Sequence, residues 1–501
     1  MRGIRTSISE LRKSIFAQVA KVAYEEENIN DAVEAIPYIV CPGDEPSYRE
    51  NIYVERAIAA ERVRLAMGIS LRPQDKPVHV TSGLEESNIS EKYYEPPLMQ
   101  VIPSACNMCD DKKYEVSNMC QGCIAHPCTE VCPKDAITKD IGGKSHIDQS
   151  KCIKCGKCKA ACPYDAIAKK ERPCSKACGV GAISTDSHGR AQIDPDICVS
   201  CGQCMVSCPF GAIADKSQIF QLIRCMKEGQ EVIAEIAPAY VGQFGANASP
   251  KNVKEALQEL GFSDVVEVAL GADIGAVAEA HHYVNHVVTG ELPFLLTSCC
   301  PSWSMLAKKQ FPDLIDSVSQ ELTPMVATAR SIKKENPNAK VVFIGPCAAK
   351  KLEASRNSLR SDVDFVLTFE ELDAMFEAKG IDPNKVIGTS SLHDATAAGR
   401  GYACAGGVAS AIEQCINEFY PGTEVKIEHA EGLSECKKML LLAKAGKKQG
   451  FMIEGMGCPG GCIAGAGTIL PIAKAQQEVK KIQDASTKKL PSKNLVEIEL
   501  L

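Results

Sequence analysis

The chain has 501 residues, room for roughly three domains at about 150 residues each. It is 45% hydrophobic and 24% charged, ordinary globular usage that excludes a disordered or collagen-like protein. The net charge of −7 gives no basic footprint for nucleic acid or an anionic membrane, so a small molecule or a redox protein is the expected partner.

The amino-terminal sequence has neither an apolar signal-peptide core nor a twin-arginine signal, and no apolar run reaches the roughly eighteen residues of a membrane span. A soluble, cytoplasmic protein with no membrane segment is expected. Residues 1–99 read as a helical module. Ser7 with Glu10 makes a capping box ahead of Ile8, Leu11, Ile15, Val19 and Val22 at helical spacing, and a second helix runs from Ile52 to Met67 and stops at Gly68. No chemistry is evident there. Cys41 has no cysteine or histidine neighbour in sequence and reads as a buried thiol.

Residues 100–227 are a cysteine framework. Sixteen of the 26 cysteines lie between Cys106 and Cys208, and in a reducing compartment such density points to metal rather than disulfides. The segment CPKDAI at 132–137 recurs as CPYDAI at 162–167, CGVGAI at 178–183 and CPFGAI at 208–213. Two runs, Cys152-x2-Cys155-x2-Cys158-x3-Cys162-Pro and Cys198-x2-Cys201-x2-Cys204-x3-Cys208-Pro, have the spacing with which bacterial ferredoxins wrap two cubane clusters. Zinc is the alternative for isolated CxxC pairs. The companion runs are irregular: Cys120, Cys123, Cys128 and Cys132 form one, and the other is split into Cys106 with Cys109 upstream and Cys174 with Cys178 downstream. One two-cluster unit is thus inserted inside another, a nesting that resembles the four-cluster electron-transfer subunits of the dimethyl sulfoxide reductase family. Because the fourth cysteine of each ferredoxin run ligates the neighbouring cluster, the expected groups are Cys120, Cys123, Cys128 with Cys162, and Cys152, Cys155, Cys158 with Cys132. The outer groups are Cys106, Cys109, Cys174 with Cys208, and Cys198, Cys201, Cys204 with Cys178, making four 4Fe-4S clusters.

From 228 to 501, short apolar strands alternate with helical stretches, the texture of an α/β domain with a buried sheet. Candidate strands are Glu231 to Ile236, Leu292 to Leu296, Val341 to Ile344 and Gly450 to Ile453. The last three run into cysteine loops: TSCCPSW at 297–303, GPCAAK at 345–350 and EGMGCPGGC at 454–462. Loops beyond the carboxyl ends of α/β strands are where ligands bind, so these thiols can converge. Cys299, beside Cys300, is a leftover thiol that spacing alone leaves open between packing and proton donation. Cys225, Cys404, Cys415 and Cys436 have no partners at ligand spacing and read as core.

The three loops resemble, in order, the signatures of the iron-only (FeFe) hydrogenases: TSCCPxW, PCxxK with a following Glu, and ExMxCPGGCxxGxG. The resemblance covers the chain from about 228 onward. It implies an α/β catalytic domain behind ferredoxin-like α+β modules and the helical segment. It also implies an H-cluster, a 4Fe-4S cube joined to a two-iron unit carrying CO, CN and a bridging azadithiolate. Cys300, Cys347, Cys458 and Cys462 would hold the cube, with Cys462 bridging. Lys350 would donate to one cyanide, Ala237-Pro238-Ala239 would lie over the other, and Met456 would pack on the two-iron unit. Lys351 reads as a surface lysine. Cys299 would relay protons through Glu279 and Ser319. The path's outer positions fall on His282 and His286, where the family has a carboxylate and an arginine, and solvent-exposed helix histidines are the preferred reading of both. Gly345 and Thr323-Pro324-Met325 also depart from the best-known members and mark a divergent subgroup. The implied activity is reversible proton reduction to dihydrogen, with a soluble ferredoxin as electron partner and maturation enzymes supplying the cofactor. A hydrogen sensor and an iron-sulfur assembly factor lacking the two-iron unit are the alternatives.

Overall fold

In a computed structural model, residues 3–356, 358–359, 362–392 and 395–497 are described, with residues 495–497 described by backbone alone. The first helix, Ser7–Glu25, is capped by Thr6: its hydroxyl accepts the Ser9 N–H at 3.3 Å and the Ser9 hydroxyl oxygen accepts the Thr6 N–H at 2.7 Å. The expected Ser7–Glu10 box therefore sits one residue too late, because Thr6 is the residue with extended φ/ψ and Ser7 is already helical. Ile15, Val19 and Val22 are buried as expected. The helix packs on Ile219–Lys227 and Phe369–Lys379, and Arg12 and Lys13 pair with Glu370 and Asp373, both at 2.7 Å. The amino-terminal helices thus share one hydrophobic core with the carboxyl-terminal half.

Helix Ile29–Val40 went unforeseen because Pro37 interrupts its pattern. Helix Ile52–Ala66 ends as expected before Gly68, whose φ of +82° terminates it. Its charged residues Glu55, Arg62 and Arg64 are buried and serve as staples. Glu55 accepts the N–H groups of Ser47, Tyr48 and Arg49; Arg64 donates to the carbonyls of Ser70, Val80 and Ser82; Arg62 donates to the Gly211 carbonyl. Cys41 is buried.

The nesting of the cysteine framework is visible in its strand pairing. The outer unit closes by Met99–Val101 pairing antiparallel with Ile213–Asp215, and the inserted unit by Lys113–Val116 pairing with Ile167–Lys170. Each unit carries one hairpin, with Ile137 opposite Ile147 in the inner and Ile183 opposite Ile193 in the outer. The fourfold sequence repeat is a backbone repeat as well: Asp135, Asp165, Gly181 and Gly211 all adopt positive φ, at residue types that tolerate it.

The carboxyl-terminal half holds two parallel sheets. One has the order Asp264–Glu267, Val232–Ile236, Lys340–Gly345, Phe365–Thr368; the other Phe294–Leu296, Phe451–Met456, Lys426–Glu431. All four anticipated strands are present within two residues of their expected bounds, except that the last continues to Met456. The chain is an α/β domain preceded by ferredoxin-like α+β modules and helices. No helix among the described residues is long and apolar enough to cross a membrane.

Candidate active site and cluster-binding groups

The loops after Leu296, Gly345 and Met456 open into one cavity. Cys299, Cys300, Cys347, Cys458 and Cys462 all line it, together with Ala237, Pro238, Ala239, Lys350 and Met456. The rest of the wall is mainly apolar, including Val268, Met325 and Phe343. Burial and the neighbouring Cys458 and Cys300 push the Cys347 thiol up to about 12. Burial likewise pushes Cys462 well above its ordinary range, with Cys300, Cys347 and Cys458 adding to it. Such crowded thiols ionise only if a cation compensates them, which suits an iron-sulfur group. No three His, Cys, Asp or Glu side chains among the described residues are gathered tightly enough to hold a single ion. The four thiols ring a space rather than a point, so a cubane fits the donor set better than a mononuclear metal.

Lys350 is buried with Nζ 2.7 Å from Glu353, whose other oxygen accepts the Thr323 hydroxyl at 2.7 Å. Desolvation works against its charge, but Glu353 prevails and raises the ammonium's pKa, so Lys350 remains a cation at the cavity wall. Lys351, expected at the surface, is 1% exposed and joins Asp215 at 2.8 Å to Glu371 at 2.7 Å. The expectation fails because adjacent helical residues point about 100° apart, and Lys351 turns inward between Asp215 of the outer cysteine unit and Glu371 of helix Phe369–Lys379, two buried carboxylates that need a cation. Gly345 leaves room for Phe343, whose ring would stand 2.4 Å from any Cβ added there.

Behind Cys299 lies a polar line. Glu279 is buried and accepts hydrogen bonds from the Ser319 hydroxyl and the Ser298 N–H, yet burial pushes its carboxyl up to about 7. The Ser319 hydroxyl oxygen accepts the Glu321 N–H at 3.3 Å. Glu321 stands 3.5 Å from Nδ1 of His282, whose ring centroid is 4.7 Å from that of His286, and Nδ1 of His286 is 2.7 Å from Glu291. Both histidines are half-buried, not the solvent-exposed pair expected. The wide turn Tyr283–Val288 that follows helix Ala269–His282 brings them together. Glu321 was missed because no spacing rule links it to residues 39 positions earlier. Tyr402, a cavity-lining phenol whose hydroxyl finds no partner among the described residues, was missed for the same reason.

The cysteines of residues 106–208 also assemble. Cys120, Cys123, Cys128 and Cys162 line one small cavity. Cys178 acts electrostatically on Cys198, Cys201 and Cys204, Cys106 and Cys208 act on Cys174, and Cys152 and Cys155 on Cys158. Backbone N–H groups of Ala136, Ala182 and Ala212 reach the Sγ atoms of Cys132, Cys178 and Cys208 at 3.3, 3.2 and 3.4 Å. Cys109 is anchored through its carbonyl by Arg172 at 2.7 Å. Cys225, Cys415 and Cys436 are fully buried as expected, while Cys404 is half-buried beside Gly461.

The outer unit touches the cavity wall. Gln203 donates to Cys458 Sγ at 3.3 Å, Ser302 to the Val199 carbonyl at 3.4 Å and Lys309 to the Cys198 carbonyl at 2.8 Å. Gly202, at φ +73°, lies so close that a Cβ would meet that of Ala466 at 2.4 Å.

Residues 230–466 match the C-terminal domain of the iron-only hydrogenase large subunit. This likeness spans just under half of the chain. Residues 151–212 match a 4Fe-4S dicluster domain and residues 120–171 the LdpA Fe-S cluster-binding domain. The chain is 26% identical to iron hydrogenase 1 of Clostridium pasteurianum over 51% of its own length and 53% of the relative's. It is 28% identical to the large subunit of the periplasmic Fe hydrogenase of Nitratidesulfovibrio vulgaris, over 50% and 72%. A probable cytosolic Fe-S cluster assembly factor of Aedes aegypti is 24% identical over 53% and 66%. The hydrogenase-type domain therefore has both hydrogenases and assembly factors among its relatives, and the chain spans about half the length of the first of them. A solved FeFe-hydrogenase of Chlamydomonas reinhardtii aligns at 22% identity and a TM-score of 0.45, over 53% of this chain and 87% of that one.

Proposed function

We propose that the chain is a hydrogenase that reversibly reduces protons to dihydrogen, exchanging electrons with a soluble ferredoxin through four 4Fe-4S clusters. The observation that carries this reading is the convergence of five cysteines, Lys350 and Met456 on one cavity. Cys300, Cys347, Cys458 and Cys462 would hold the cube of an H-cluster delivered by maturation enzymes. When bound, the H-cluster would supply the centre where protons and electrons combine.

The chain's own residues do the rest. Lys350, kept cationic by Glu353, offers a buried donor to an anionic ligand such as cyanide, and Ala237, Pro238 and Ala239 line the same cavity, with no hydroxyl at Ala239. Burial and the nearby Glu279 and Cys300 keep Cys299 a neutral thiol, able to give a proton at Sγ and regain it from Glu279. Ser319 orients the Glu279 carboxyl. Met456 and the apolar wall exclude water. The relay groups would be the four expected: Cys120, Cys123, Cys128, Cys162; Cys152, Cys155, Cys158, Cys132; Cys106, Cys109, Cys174, Cys208; and Cys198, Cys201, Cys204, Cys178. The last would lie next to the H-cluster, since Gln203 in its loop touches Cys458.

The second reading, an assembly factor, is favoured by the Aedes aegypti relative. Infrared spectra of the matured protein separate the two. Bands of metal-bound CO and CN support the hydrogenase reading, and their absence from fully loaded protein would sink it.

A further inference from the structure

The internal repeat supplies its own control. In repeat register, Lys151, Ile153, Lys154, Lys157 and Lys159 correspond to Ile197, Val199, Ser200, Gln203 and Met205 of the outer unit. The outer face is covered by the hydrogenase-type domain: Val199 is 1% and Met205 4% exposed, Ser200 is buried and Gln203 reaches Cys458. Among the described residues, the same face of the inserted unit lies uncovered. Lys151, Lys154, Cys155, Lys157 and Lys159 are all exposed and Ile153 is 55% exposed. None of these four lysines has a salt bridge among the described residues. Residues 120–171 carry nine lysines and no arginine against six carboxylates, a net +3 in a chain of net −7.

A cysteine loop that faces the next redox centre in one copy is thus turned outward in the other, with its apolar and neutral contacts replaced by lysines. Unpaired like charges clustered on one loop repel one another and gain most from an anionic partner. We propose that the face formed by Lys151, Lys154, Lys157 and Lys159 docks an acidic one-electron carrier protein, the two centres meeting across the Cys152–Cys158 loop. The step is a single electron passing from the reduced carrier to an oxidised cluster, or the reverse, with no bond made or broken. The proposal rests on the relay reading given above.

The test uses the full-length chain with its clusters and an acidic flavodoxin in its hydroquinone state, whose oxidation is read as semiquinone absorbance in a stopped-flow instrument. The methyl viologen radical, small and cationic, is the control that needs no docking. At low salt the combined Lys151→Glu, Lys154→Glu, Lys157→Glu and Lys159→Glu variant should slow semiquinone formation by at least about tenfold. The corresponding Gln variant should lie between, and salt should slow the wild type but not the Glu variant. Viologen oxidation and iron content should be equal in all three, which reports that they fold and load alike. Equal flavodoxin rates in the wild type and the Glu variant would overturn the docking surface while leaving the relay intact. Failure of the viologen radical to reduce the wild type would instead overturn the relay reading, and the docking surface with it.

Discussion

Cys299 is the residue on which turnover should depend most. Cys299→Ala removes the only thiol of the cavity not assigned to the cube, and should cut hydrogen evolution by about 100-fold or more while iron content and infrared bands persist. Turnover near wild type would take Cys299 out of the proton path. Glu279 sets a pH dependence whose sign follows from its raised pKa of about 7. Below pH 7 the carboxyl is neutral and can donate; above it the carboxylate can only accept. Proton delivery for hydrogen evolution should therefore decline as pH rises through 7. Glu279→Gln should remove that limb along with most of the rate, measured as the pH profile of viologen-driven evolution. Beyond Ser319 the line of half-buried groups predicts that Glu321→Gln slows evolution by about tenfold, while Arg330→Gln, which breaks only a surface pair with Asp362, does not.

The relation between elements rests on few contacts with large consequences. Lys351 holds Asp215 of the outer cysteine unit and Glu371 of helix Phe369–Lys379 together in a wholly buried triad. Lys351→Met leaves two buried carboxylates without their cation and should cost about 3–5 kcal/mol at neutral pH. Lys351 holds Asp215 below the ordinary carboxylate range, although burial opposes it. The folded state thus favours ionised Asp215, and its contribution is lost as pH falls through the folded pKa. The loss caused by the substitution should accordingly shrink toward acid, as read by denaturant unfolding at several pH values. Legibility in sequence also divides at this scale. The four cysteine runs, the three loops and the helix Ile52–Ala66 could be read because spacing and period are local. The edge strands Asp264–Glu267, Phe365–Thr368 and Lys426–Glu431 were not foreseen, having no motif attached to mark them. Lys351, Glu55, Arg62 and Arg64 were misjudged or passed over because charge suggests a surface, whereas buried partners far away in the chain decide their place. His282 was misread for the same reason, its neighbour Glu321 arriving on another segment.

For the whole molecule, the proposed cysteine groups would make a file of redox centres that begins at a solvent-facing loop and ends beside the cavity wall. Iron and sulfide analysis of the full chain should return four cubanes besides the H-cluster, and clearly fewer would break the file. The hydrogenase-type domain, the outer cysteine unit and the amino-terminal helices are joined by shared core and buried ion pairs. The inserted unit stands apart from this arrangement in charge and exposure. Because Lys113–Val116 and Ile167–Lys170 run side by side, the segment leaves and rejoins its host at neighbouring points. It behaves as an excisable cassette: a short bridge could replace it without disturbing the strands at 99–101 and 213–215, and a longer or differently charged cassette could be spliced in at the same seam. The length of the inserted unit, and the partners its surface suits, can then change over evolutionary time while the hydrogenase-type domain stays as it is.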